Sequence, residues 1–173
     1  EGATVLDANT GAYFEPVAGL DFKSLYPSIM IAYNMCHSTI VTDDKYRNLP
    51  GIEYETVEWY EEDKDKKFSF TFVQNIKGLL PSILEQLWEE RNATKKEMKK
   101  HKGTFHEMVL NGKQLAIKVT MNSAYGFAGA SKGLLPCKPI AASVTAKGRE
   151  MIARTSKMAQ EFYNCVTTYG DTD

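Results

Sequence analysis

Cysteine is scarce in this sequence. Its 173 residues hold three, Cys36, Cys137 and Cys165, far apart and in no C-x-x-C pair. That excludes a disulfide framework or a cysteine-bound zinc and points to a reducing, intracellular setting. Long apolar runs are missing as well. The longest, residues 28–33 and 134–142, are too short or too interrupted to cross a bilayer, and no signal-peptide pattern opens the chain, so it reads as soluble with no membrane partner. Charge of one sign is absent overall, since 21 Lys and Arg face 22 Asp and Glu, and no global field selects a partner. Repeats, low-complexity stretches and flexible linkers are missing too. His37, His101 and His106 stand at no metal-binding spacing and read as structural or surface residues.

What is present is a globular composition, 43% hydrophobic and 11% aromatic, enough to bury a core and to exclude disorder of the whole chain. The charge is unevenly distributed: residues 1–76 hold 6 basic and 13 acidic side chains, 77–118 hold 9 and 5, and 119–173 hold 6 and 4. An acidic beginning and a basic middle suit a protein that holds metal cations with one part and a polyanion with another. A solvated helix face would give the same middle.

Residues 3–8 and 12–17 look like two extended segments around the turn Asn9-Thr10-Gly11, and residues 18–22 read as a short apolar strand ending in Asp21. A helix is expected from Pro27 through Tyr33, and a β-hairpin over 53–74 with a charged tip. Leu80, Ile83, Leu84, Leu87 and Trp88 then mark a long helix to about His101. Thr104 and Glu107 form a capping box that starts a second, antiparallel helix with Phe105, Met108, Val109, Gly112, Leu115, Ala116 and Val119 as its apolar stripe. A third helix covers roughly 141–163, and residues 165–169 are β-branched enough for a strand ending at Gly170-Asp171-Thr172-Asp173.

Two carboxylate sites therefore lie at expected strand ends, Asp21 and the Asp171/Asp173 pair. Taken singly each is an ordinary turn or cap residue, but two close carboxylates repel unless a cation compensates them, which favours Mg²⁺. Phosphoryl transfer uses such a set to hold two metals roughly 3.5–4 Å apart. It also needs cations on the phosphates. Arg91 and Lys95 share one helix face; Lys118, Asn122 and Tyr125 share another. Lys118, between Ile117 and Val119, is expected in apolar surroundings where a charge needs a partner. Arg91 could equally be salt-bridged to Glu89 or Glu90, and the lysines after Lys95 read as a solvated face.

Three stretches carry a resemblance. Residues 21–29 (DFKSLYPSI), 118–126 (KVTMNSAYG) and 169–173 (YGDTD) resemble, in order, the three polymerase motifs of family B DNA polymerases. Residues 78–91 resemble the first fingers helix of that family and residues 1–5 its entry into the palm, so the likeness spans the chain and is weakest over 42–70. Its wording is similar to the polymerase delta type and to polymerases of large double-stranded DNA viruses infecting algae.

The resemblance implies an α+β polymerase palm, an antiparallel sheet with packed helices, interrupted by a two-helix fingers hairpin. Residues 1–76 would be the first part of the palm, 77–124 the fingers and 125–173 the second part of the palm. It implies template-directed transfer of a dNTP to a primer 3′-hydroxyl, with two Mg²⁺ held by Asp21, Asp171, Asp173 and the carbonyl of Phe22. Backbone N–H groups of Ser24, Leu25 and Tyr26 would meet the β- and γ-phosphates. Arg91 would fork onto the γ-phosphate, with Lys95 a weaker candidate. Lys118 would neutralise charge near the α- and β-phosphates, and Asn122 would hydrogen-bond the triphosphate. Tyr26 would exclude a ribose 2′-hydroxyl, Tyr125 and Gly126 would lie against the nascent base pair, and Tyr169 would approach the primer end.

Primer-template DNA and dNTPs are the implied partners, a sliding clamp is a further one through regions outside this sequence, and the implied setting is the host nucleus or a viral replication site. A start at Glu1 and a stop at Asp173 suggest a partial chain lacking exonuclease, thumb and the rest of the palm, with little activity by itself and an unpaired edge on its last strand. The rivals are a non-catalytic nucleotide- or DNA-binding scaffold and another palm enzyme, such as a reverse transcriptase or nucleotide cyclase.

Overall fold

The computed structural model describes residues 5–61, 65–133 and 135–171. Asp173, Thr172 and residues 1–4, all named above, lie outside the described residues, as does part of the hairpin tip. Within them the chain is a mixed α/β fold with four α-helices and small antiparallel sheets. In order these are β1 (Val5–Leu6), α1 (Leu25–Ala32), β2 (Ile40–Val41), a 3₁₀ turn (Asp44–Tyr46), β3 (Tyr54–Glu61), β4 (Lys66–Val73), α2 (Leu79–Lys100), α3 (Phe105–Gly129), α4 (Lys138–Tyr163) and β5 (Gly170–Asp171).

The expected hairpin is β3 and β4, in the register Val57 opposite Phe70 and Trp59 opposite Phe68, and β2 adds to the free side of β4. Alternation puts Phe68, Phe70 and Phe72 on one face. Trp59 stacks on Phe68 at 5.3 Å, and Phe72 is fully buried. Lys147 of α4 reaches this sheet, ion-paired to Glu55 at 3.4 Å with its ammonium over the Tyr33 ring. Helix α1 is the centre of the core: Ile29 and Met30 meet Leu84 of α2, Ile117 and Met121 of α3, and Ile140 and Val144 of α4.

Helices α2 and α3 run antiparallel, as Glu90 pairs with Lys113, Arg91 with Gln114, and His101 stacks edge-on against His106. The capping box forms at their turn. Thr104 Oγ1 accepts from Glu107 N at 3.3 Å, and the Glu107 carboxylate accepts from Gly103 N at 2.6 Å.

The base of α2 is fixed by Asn34. Its Oδ1 accepts from Gly78 N at 2.8 Å and its Nδ2 donates to the carbonyls of Val73 and Ile76. Gly78 must be glycine here, because a Cβ would stand 2.8 Å from Cys36 Cβ and 2.9 Å from Thr39 Cγ2. Burial raises the Cys36 thiol pKa, but hydrogen bonds from Ser38 and from Leu79 and Leu80 outweigh it and leave the thiol below its ordinary value.

Four expectations need correction. Residues 12–22 form no strand, and Asp21 sits in an irregular, exposed loop in which Phe14 is 97% exposed. Without ladder partners an extended segment is not a strand. Residues 165–169 are likewise irregular; the strand is β5, paired on one side with β1 (Val5 with Asp171, Leu6 with Gly170), and no strand of the described residues covers its other edge. The apolar stripe assigned to α3 faces outward, with Phe105 77%, Met108 68% and Val119 64% exposed. Gln114, Ile117, Met121 and Ala128 face the core instead. Lys118 is exposed, so it needs no buried partner.

Candidate nucleotide and metal site

One open cleft of about 1640 Å³ collects most of the expected site residues. Asp21, Phe22, Ser24, Leu25 and Tyr26 enter it from the loop before α1 and that helix's first turn. Arg91 and Lys95 enter from α2, Lys118 and Asn122 from α3, and Tyr169 and Asp171 from the β5 segment. Tyr125 and Gly126 are not in its lining. Tyr125 stands behind Tyr26, ring on ring at 4.4 Å, where burial and then Tyr26 push its phenol pKa up against the opposing effect of Arg149.

Helix α1 begins abruptly. Ser24 takes left-handed dihedrals (φ 53°, ψ 60°) and caps the helix without a side-chain hydrogen bond. Ser28 returns to the turn, its N and Oγ both bonded to the Ser24 carbonyl at 2.9 Å. Pro27 has no N–H, and Leu25 and Tyr26, the first two residues of the helix, line the cleft.

The cation wall is ordered by its own helices. Arg91 Nε donates to Gln114 Oε1 at 3.3 Å, and Gln114 is nearly buried and held in turn by Asn111. The side chains of Lys95, Lys118 and Asn122 form no hydrogen bond or ion pair with another described residue. In the same cleft Asp171 accepts a hydrogen bond from the Tyr169 hydroxyl at 2.6 Å, and Asp21 has no side-chain partner among the described residues. Among the described residues, two carboxylates without a cation therefore line the same cleft as three cations, none of them ion-paired.

Among the described residues no group of three or more His, Cys, Asp or Glu side chains is close enough to hold a metal ion. Asp21 and Asp171 have no cationic partner among the described residues, and carboxylate oxygens are the donor type that a hard divalent cation takes. Sequence reasoning missed Gln114 and Lys23, which contact the α2 cations or their helix. A polar residue on the inward face of an otherwise apolar helix was the available signal for Gln114.

The family model for DNA polymerase family B matches residues 1–173. The chain is 46% identical to a DNA polymerase of Paramecium bursaria Chlorella virus NY2A and 46% identical to the DNA polymerase delta catalytic subunit of Arabidopsis thaliana. In each case all of this chain is covered, with 19% and 16% of the relative. The fold superposes on the family B DNA polymerase of the hyperthermophilic archaeon Pyrobaculum calidifontis with a TM-score of 0.69 and 28% identity, over 87% of this chain and 18% of that one. The chain thus spans less than a fifth of the length of these relatives, and by the match of its whole length it belongs to DNA polymerase family B.

Proposed function

We propose that this chain is the part of a DNA-directed DNA polymerase that holds the incoming dNTP and the catalytic metals. The observation that supports this is that Asp21 and Asp171 line the same cleft as Arg91, Lys95 and Lys118. Carboxylates and cations in one cleft complement a metal-bound triphosphate. Asp21, the Phe22 carbonyl and Asp171 would hold two Mg²⁺, with Asp173 as a further ligand by its place in the third motif. When bound, such ions lower the cost of ionising a primer 3′-hydroxyl and of charge at the α-phosphate.

The chain's own groups do the orienting. Arg91 would grip the γ-phosphate with Gln114 fixing its guanidinium, and Lys95 would add charge one turn on. Lys118 would sit near the α- and β-phosphates, Asn122 would donate to the triphosphate, and the N–H groups of Leu25 and Tyr26 would bind it at the helix start. Tyr26, braced by Tyr125, would lie under the sugar and favour deoxyribose. Residues 1–76 and 125–173 would be palm and 77–124 fingers, acting on primer-template DNA at an intracellular replication site, with any clamp engaged elsewhere in the protein.

Primer extension by the complete polymerase carrying this segment tests the reading. Asp21→Asn should lower extension by about a hundredfold to a thousandfold. Undiminished Mg²⁺-dependent extension would remove Asp21 from the metal site.

A further inference from the structure

Lys23 has no part in the reading above, yet it joins the loop of Asp21 and Phe22 to helix α2. Its Nζ lies 3.4 Å from Asn92 Oδ1 and 4.8 Å from the centroid of the Trp88 ring. Trp88 and Asn92 are one turn apart on α2, so both project toward the same side, with Arg91 beside them. Lys23, Trp88, Arg91, Asn92 and Met121 together line one narrow crevice.

Two attractions act on the same ammonium: the negative face of the indole and the amide oxygen. Neither partner carries a negative charge. The loop it anchors is otherwise irregular and exposed from residue 12 to 22. Arg91 is steadied by Gln114 from the α3 side, and Lys23 steadies the same helix from the α1 side.

We infer that Lys23 is a positioning residue, a clasp that sets the spacing between the carboxylate loop and the phosphate-binding face of α2 and thereby the affinity for a nucleoside triphosphate. The inference rests on the nucleotide site proposed above and adds to it a residue that acts through α2. Lys23 also lines the cleft, so a direct contact with the polyphosphate is the rival to be separated.

The experiment uses this chain in a Trp59→Phe background, which leaves Trp88 as its single tryptophan. Lys23→Met, Lys23→Arg, Asn92→Ala and the Lys23→Met/Asn92→Ala pair are compared. Without ligand, Lys23→Met should change Trp88 emission and increase its quenching by acrylamide, and Lys23→Arg should restore both, because a guanidinium stacks and donates in the same place.

With dATP and Mg²⁺, Lys23→Met should weaken binding by about three- to tenfold. Asn92→Ala should weaken it less, and the pair should be no weaker than Lys23→Met alone within a factor of two. Losses that multiply would mean that Lys23 touches the nucleotide directly, and would overturn the clasp. Unchanged Trp88 emission and quenching in Lys23→Met would overturn it as well. Absence of dATP binding in the unmutated chain is a different failure: it strikes the proposed nucleotide site, and the clasp's effect on affinity falls with it, whatever Trp88 reports.

Discussion

The two walls of the cleft are built differently. The cation wall rides on α2 and α3, long helices with buried contacts from Leu84, Ile117 and Met121 and with the base of α2 bonded to Asn34. The acid wall rides on irregular segments. Asp21 lies in an exposed loop, and Asp171 in a two-residue strand whose partner is the two-residue β1. Phosphate-binding groups thus sit on a scaffold that folds through near neighbours, while the carboxylates depend on ends of the chain finding each other. The difference teaches where a bound metal would contribute most. It would join two segments that few other contacts order.

Substitutions that separate the walls should divide along this line. Met121→Ala removes a side chain at the meeting of α1, α2 and α3 and should cost about 2–5 kcal/mol in urea denaturation. Val119→Ser, two residues away but facing outward, should stay within about 0.5 kcal/mol. Equal losses would mean that the inward and outward faces of α3 have been confused. On the acid wall, Leu6→Asp should shift global stability by less than about 1 kcal/mol, because β1 lies outside the core cluster. Amide exchange at Asn9, whose N–H bonds to the Thr168 carbonyl at 2.8 Å, should nevertheless accelerate. Unaltered exchange there would show that the β1–β5 pairing does not order that wall.

The smallest effect concerns the turn between α2 and α3. Glu97 accepts from Lys100 and His101, which hold its carboxyl below the usual range. A carboxylate with a depressed folded pKa stabilises above its unfolded value and loses that contribution as pH falls through the folded value. Protection of the turn amides, taken relative to their intrinsic exchange rates, should therefore fall as the pH drops below about 4.3, and Glu97→Gln should remove that response while leaving the core amides alone. An identical acid response in the variant would place its source elsewhere.

Much of the cation wall was legible in the sequence. The α2 periodicity, the Thr104 capping box and the shared faces of Arg91 with Lys95 and of Lys118 with Asn122 are local signals within a few turns of helix. The inward face of α3 was not, because Gln114 stands on it as a polar residue to orient Arg91, while Phe105, Met108 and Val119 supply a competing apolar stripe outside. Composition alone cannot decide which of two apolar faces finds the core.

The acid wall was legible as motif and illegible as structure. Asp21 and Asp171 stand out by their neighbours in sequence, yet strands proposed over 12–22 and 165–169 need partners that no local pattern specifies. Tyr125 shows a third case. Its spacing from Lys118 is helical, but the Tyr26 ring it meets comes from another helix, and only the fold brings the two together.

The most direct test of a cleft that works through both walls is calorimetric titration of the chain with a deoxynucleoside triphosphate, with and without Mg²⁺, beside Asp21→Asn and Arg91→Ala. Saturable, Mg²⁺-dependent binding that is lost in each variant, with circular dichroism unchanged, is the predicted result. Binding that survives the loss of either wall, or no binding by the folded chain, would contradict it.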